Sequence, residues 1–183
     1  MSRWAYYLSA NDGTEVRGTI MADITTLAVI FPLSITLHNI EEALWLPKWS
    51  QHASRFQKPI SKNEFHFAVI VITLLAYLAT CFFMYFPEER IFSFVFAGFL
   101  GAMIFNAVFP HLAATIALRK YAPGTITGVF LMIPVCILLL NHMVNSGTIN
   151  VYEIVLSTIG VGIPMVVSIP VLFWAGRILI RYD

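Results

Sequence analysis

The chain has 183 residues, 58% of them hydrophobic and only 11% charged, with a net charge of +1 and a mean hydropathy of +0.78. A water-soluble domain of this size needs far more polar surface, because much of any small domain faces solvent. The composition excludes that class, and the apolar residues, which come in runs, point to an integral membrane protein solvated by lipid.

Five stretches are long enough to cross a hydrocarbon core, which takes about 20 helical residues. They lie at about 24–46, 66–86, 91–118, 125–145 and 151–176. Spanning β-strands would alternate over about 10 residues, and "FAVIVITLLAYLATCFFMYF" at 67–86 does not. The expected fold is all-α: a polytopic bundle of about five transmembrane helices forming one domain over residues 21–183. Residues 1–20 are polar and mixed, too long and too acidic for a signal-peptide n-region. They are read as an extension without assigned function, and Met21 offers a second start. Cys81 and Cys136 fall inside predicted spans, so no disulfide framework is implied.

Five spans put the termini on opposite sides. One side collects Lys48, Arg55, Lys58, Lys62, Arg119, Lys120, Arg177 and Arg181, and the other only Arg3, Arg17 and Arg90. That asymmetry predicts an external N-terminus and a cytoplasmic C-terminus.

The first span ends in "ITLHNIEEALWLPKW", residues 35–49. With His38 at zero azimuth, Glu41 falls at about −60° and Glu42 at about +40°. Ser34 and Trp45 share that face. The second span carries His66 at its cytoplasmic start and then Thr73, Tyr77 and Thr80, which read as packing and interhelical hydrogen bonds. In the third, His111 lies eight residues before Arg119, about 12 Å from the inner boundary and close to the depth of His38. Pro110 removes an amide and predicts a kink there. Ala97, Gly98, Gly101 and Ala102 make a ridge suited to close helix contact. Pro123 and Gly124 predict a tight cytoplasmic turn after Tyr121. Asn141, His142 and Glu153 fall at the outer boundary and read as wet helix ends.

A charged side chain inside a span costs from about 2.5 kcal/mol to far more. Two adjacent carboxylates add repulsion unless a proton or a cation sits between them. His38 with Glu41 or Glu42, three and four residues apart, can share one ligand. His111 and His66 from neighbouring helices would complete a nitrogen and oxygen set suited to zinc, iron or manganese. The plainer alternative is that both carboxylates reach water and pair with Lys48 or Arg119.

"HNIEE" at 38–42, "NAVFPHL" at 106–112 and "YAPGTIT" at 121–127, in that order, resemble the HXXEE family of small bacterial membrane proteins. The likeness covers about residues 21–176 and implies a bacterial cytoplasmic (inner) membrane as the location. It implies that His38, Glu41, Glu42, Asn106, His111, Tyr121, Pro123 and Gly124 are the family's motif positions, and it implies no reaction. A weaker similarity to intramembrane CAAX-type proteases fails at two places. Their arginine three residues after the second Glu is Trp45 here, and their Phe-x-x-x-His pattern has Ala107 in place of Phe.

Three functions are compatible with these residues. The favoured one is a membrane-embedded, metal-dependent enzyme, a hydrolase in its simplest form, acting on a lipidic or amphiphilic substrate from the cytoplasmic leaflet. His38, His111, Glu41 and Glu42 would supply the divalent metal ligands. Glu41, Glu42, His66, Asn106 and Tyr121 would be the catalytic group. The second is a cation- or proton-coupled transporter or binding protein, weakened by the lack of an internal repeat. The third is a non-catalytic membrane subunit, for which two carboxylates are a costly packing device. Membrane lipid is the expected partner, nucleic acid is not, and an oligomer is compatible with each reading.

Overall fold

The computed structural model describes residues 26–52 and 59–180. The N-terminal extension at 1–20 and Met21 lie outside the described residues. Those described contain helices and no strands. The helices are α1 (Ile30–His52), α2 (Lys62–Tyr85), α3 (Arg90–Leu118), α4 (Thr125–Asn145) and α5 (Val151–Leu179). All five are long and apolar enough to cross a membrane, the first counted from Thr26 to Gln51.

Several ends differ from the sequence-based boundaries for local reasons. The second helix starts at Lys62 rather than 66 because Ser61 and Glu64 form a capping box. Ser61 Oγ accepts the Glu64 amide at 3.3 Å, and a Glu64 carboxylate oxygen accepts the Ser61 amide at 3.0 Å. The first helix runs through Pro47 to His52. Ser50 Oγ, 2.9 Å from the Pro47 carbonyl, also accepts the Ile60 amide at 3.2 Å. The fifth continues to Leu179, where the Arg177 guanidinium donates to Glu64 at 2.5 Å and ties its end to the start of α2. At the opposite end Glu153 closes a second capping box with Asn150 and pairs with Arg90.

The kink expected at Pro110 takes a specific form. Residues Ala107–Leu112 make a π-helical turn within α3. A proline cannot bond the carbonyl four residues back, and widening the register lets the chain pass it without leaving the helix. A second π-helical turn, Gly128–Met132, lies in α4. The two wide turns face each other: a Cβ on Gly128 would stand 3.1 Å from Ala107 Cβ.

Packing is aromatic on one side and small-residue on the other. Phe83 stacks on Phe96 at 4.5 Å, and Phe31 meets Phe96 edge-on at 5.7 Å, joining α1, α2 and α3. The small-residue ridge of α3 receives α5. Gly98 lies under Ser157 and Val161, and Gly101 under Thr158. Ile154, Val161 and Met165 of α5 pack against the core, many of its other apolar side chains are exposed, and only Ser157 and Gly176 are buried on it.

A methyl group on Gly98 would come within 2.5 Å of the Ser157 carbonyl oxygen, which is backbone and cannot step aside. Gly98→Ala is expected to destabilise the detergent-solubilised protein by about 1–3 kcal/mol. Gly160→Ala, whose new methyl would meet only Phe94 at 3.7 Å, is expected to be neutral or better. Thermal unfolding of the two variants side by side checks this.

Candidate functional site

The polar residues of α1 are buried in the bundle rather than solvated. His38 is fully buried, and Glu41 and Glu42 are each 7% exposed. Ser34 points inward too, whereas Trp45 is 54% exposed and faces out of the bundle. The π-helical turn of α3 carries His111 inward, 4% exposed. Its Nε2 lies 2.6 Å from Glu42 Oε1, and His38 Nε2 lies 3.7 Å from the same oxygen. The two imidazoles meet edge to face with centroids 5.2 Å apart. One ligand atom from each of His38, Glu42 and His111 falls within 4.8 Å of the others.

Glu41 points elsewhere, into the start of α4. Its Oε1 accepts the Tyr121 hydroxyl and, at 2.6 Å, the Gly124 amide. Its Oε2 accepts the Thr127 amide at 3.1 Å and the Thr127 hydroxyl at 2.5 Å. The first amides of a helix have no partner within it and favour an anion, so this carboxylate takes the place a bound anion would hold. Four donors fill its two oxygens.

Proton counting then sets the tautomers. The Thr127 hydroxyl has one hydrogen, given to Glu41, so at 2.9 Å from His38 Nδ1 its oxygen can only accept. His38 is therefore protonated on Nδ1 and presents an Nε2 lone pair to the interior. His111 differs: its Nε2 lies 2.6 Å from Glu42 Oε1, an acceptor, and so donates to it. The His38 Nε2 lone pair, the His111 Nε2–H and the Glu42 carboxylate converge, with a proton where a cation would draw on the same three groups. Asn106 spans the pair, its Nδ2 3.4 Å from His38 Nε2 and 3.3 Å from His111 Nε2.

The Tyr121–Gly124 connection is the cover of this site. Gly124 has φ +90°, and a Cβ there would lie 2.7 Å from His111 Nδ1 and 3.1 Å from Glu42 Oε1. The turn is braced from beneath. Thr125 Oγ1 donates within 3.1 Å of the His111 carbonyl, and Thr115 Oγ1 accepts the Ala122 amide at 3.0 Å.

The structure thus brings together His38, Glu42, Asn106 and His111, with Glu41 and Tyr121 beside them on the α4 start. It does not bring His66 to them. That ring donates to the Ala43 carbonyl at 3.0 Å, in a groove between α1 and α2. Nearby, Asn39 donates to Thr73 at 2.7 Å, and Thr36 meets Tyr77 at 3.3 Å. Thr127, Thr115 and Thr125 escaped the sequence reading. The signal for two of them was present, since a Thr-x-Thr directly after Pro-Gly marks a helix start whose amides need an acceptor.

The chain matches the family described as "Protein of unknown function with HXXEE motif" over residues 29–139. It is also 55% identical over 146 residues to "Uncharacterized protein YrkK" of Bacillus subtilis (strain 168), covering 80% of this chain and 92% of that protein. No solved structure matches it. The chain belongs to the HXXEE family.

Two measurements probe this geometry. Gly124→Ala adds the strain of a left-handed alanine to the collision with His111 and is expected to cost about 2–4 kcal/mol. Gly147→Ala shares the positive φ, +71°, but meets nothing within 4 Å, so it should cost only the strain, about 1–2 kcal/mol. Burial of the Tyr121 hydroxyl, and then the Glu41 carboxylate it donates to, push the Tyr121 pKa up to about 12. A raised pKa means the protonated phenol contributes stability below about pH 10 that is lost as pH climbs toward 12. The phenolate absorbance difference between the wild type and Tyr121→Phe should therefore appear near pH 12. In Glu41→Gln it should move down while staying above 10, because burial remains.

Proposed function

We propose that this HXXEE-family protein is a membrane-embedded, metal-dependent hydrolase acting on a lipidic or amphiphilic substrate. The observation that carries the reading is the convergence of His38, Glu42 and His111 ligand atoms within 4.8 Å in a buried setting. With the His111 Nε2 proton released, two imidazoles and one carboxylate are the donor chemistry that zinc, iron and manganese take, and a three-residue set leaves positions open for substrate. The second nitrogen of His38 is already committed to the Thr127 hydroxyl, the kind of contact that orients metal-bound imidazoles. A divalent ion held there would supply Lewis acidity toward a substrate oxygen.

The remaining residues divide the work. Glu42 is the anionic ligand, and Glu41 is a positioning residue that holds Thr127, and through it His38, in register. Tyr121 and Glu41 share one proton at the edge of the site. A substrate that draws the Tyr121 hydroxyl to itself frees a lone pair on Glu41 Oε1 to accept a proton, so the pair can serve as donor and acceptor in turn. Asn106, facing both histidines, is placed to orient a bound oxygen. His66 has no role in this scheme. Hydrolysis fits because water can add across an ester-type linkage with one proton relocated and no further cofactor.

The positive-inside asymmetry of the sequence supports a cytoplasmic position for the Lys48, Lys62, Arg119, Lys120 and Arg177 end. The site lies in the half of the bundle nearest that end, so the substrate comes from the cytoplasmic leaflet. The N-terminus is then external.

Metal counting by plasma mass spectrometry on protein purified in mild detergent without a His tag is the test. The wild type is expected to carry about one equivalent of zinc, iron or manganese per chain. His38→Ala, His111→Ala and Glu42→Gln should lose it, while Glu41→Gln and His66→Ala keep at least part. A metal-free wild type would overturn the enzyme reading and leave the three convergent groups as a proton-holding relay.

A further inference from the structure

Asn106 and His111 are five residues apart on α3. In a regular α-helix that spacing is about 500° of rotation, which sets two side chains about 140° apart. The π-helical turn Ala107–Leu112, bonded i to i+5, brings them onto one side instead. The Asn106 amide thereby reaches both buried histidines, with Nδ2 3.4 Å from His38 Nε2 and 3.3 Å from His111 Nε2. Among the described residues these two rings are its hydrogen-bond partners. Neither orientation of the amide matches both of them. The His38 Nε2 lone pair suits Nδ2–H, but the His111 Nε2–H, already given to Glu42, then faces a second donor. After half a turn about χ2, Oδ1 would suit His111 and oppose the His38 lone pair. A mismatch of this kind is costly inside a bundle. A divalent cation removes it, because Oδ1, both imidazoles and Glu42 can then all present lone pairs to one charge.

We propose that Asn106 is a fourth metal ligand, binding through Oδ1 beside His38, Glu42 and His111. This rests on the metal-dependent reading of the site and completes its donor set. Glu41 is not available for the place, since Tyr121, Gly124 and Thr127 already fill both of its oxygens. An amide oxygen adds a donor without adding charge. Glu42 is then the single anionic ligand, and the ion stays electrophilic toward a substrate oxygen. The Nδ2 of the same amide remains to orient that oxygen. The π-helical turn also gains a purpose in the site. It supplies two ligands five residues apart from α3, as one turn of α1 supplies His38 and Glu42 four apart. With four protein donors, an open position needs an ion that takes more than four ligands, iron or manganese rather than tetrahedral zinc. Mn(II) is therefore the probe.

The full-length protein in mild detergent, stripped with a chelator, would be titrated with Mn(II) alone and then, separately, with Co(II) alone. Free Mn(II) gives a sharp EPR signal that the bound ion loses, so the titration reads affinity. Asn106→Leu is expected to weaken Mn(II) binding about tenfold or more. Asn106→Asp, which keeps an oxygen at the same place, is expected to bind at least as tightly as the wild type. The visible absorption of Co(II) strengthens as the ion loses ligands. It should rise in Asn106→Leu and keep its wild-type strength in Asn106→Asp. An amide acting only through its N–H groups would instead weaken binding in both variants and leave the Co(II) absorption unchanged, and that result would overturn the proposal. So would an Asn106→Leu protein that binds like the wild type. If Asn106→Leu does not fold, Asn106→Asp decides by affinity, with equal or tighter binding in support and weaker binding against. A wild type that binds neither ion overturns the metal centre and this ligand together. A wild type that binds both, with variants that behave against expectation, keeps the centre and loses only the ligand.

Discussion

The contact on which the rest of the structure depends is the Glu41 carboxylate set into the start of α4. It takes two backbone amides and two hydroxyls, from Tyr121, Gly124 and Thr127. A buried carboxylate without such partners would be costly. The helix start likewise needs acceptors for its first amides. Each satisfies the other, and the same atoms fix the distance between α1 and α4. Thr127 extends the link to His38 and decides which nitrogen of that ring faces inward. One hydrogen-bond set thus positions a helix, a turn and an imidazole.

The two π-helical turns do the complementary work on α3 and α4. A regular helix through Pro110 would carry an unpaired carbonyl and a clash with the ring. The wide turn absorbs both and carries His111 onto the face where Glu42 waits at 2.6 Å. The partner turn in α4 begins at Gly128, whose missing side chain leaves space for Ala107 and, at 3.5 Å from the hypothetical Cβ, for His38 Cε1. Distortion and site coincide, as is common for π-turns. Among the described residues the opposite end of the bundle has no such distortion and is closed by a cap and the Arg90–Glu153 pair.

Much of this was legible before any coordinates. The five spans follow from apolar runs, and the polar face of α1 from residues three and four apart. Depth alone matched His111 to His38, since both lie a similar length of helix from the charged end. His66, at the start of its span and four residues after Lys62, was grouped with them without such a match, and its ring turns to the Ala43 carbonyl in a different groove. The boundary of α2 slipped by one turn because Ser61 and Glu64 were read as loop polarity rather than as a cap.

The amino-acid sequence by itself determined that the chain forms apolar helices, which residues break that apolarity, and that these concentrate toward one end. These are properties of composition and of the helical repeat, and neither needs a partner. Only the tertiary structure decided the division between two adjacent carboxylates. Glu42 meets the histidines, while Glu41 meets the amides of a helix that begins eighty-odd residues later. One residue of difference is 100° of rotation on α1, which is enough to aim the two side chains at different neighbours. Which neighbours stand there is set by helix packing and by the wide turns in α3 and α4, and no local pattern in the chain encodes that.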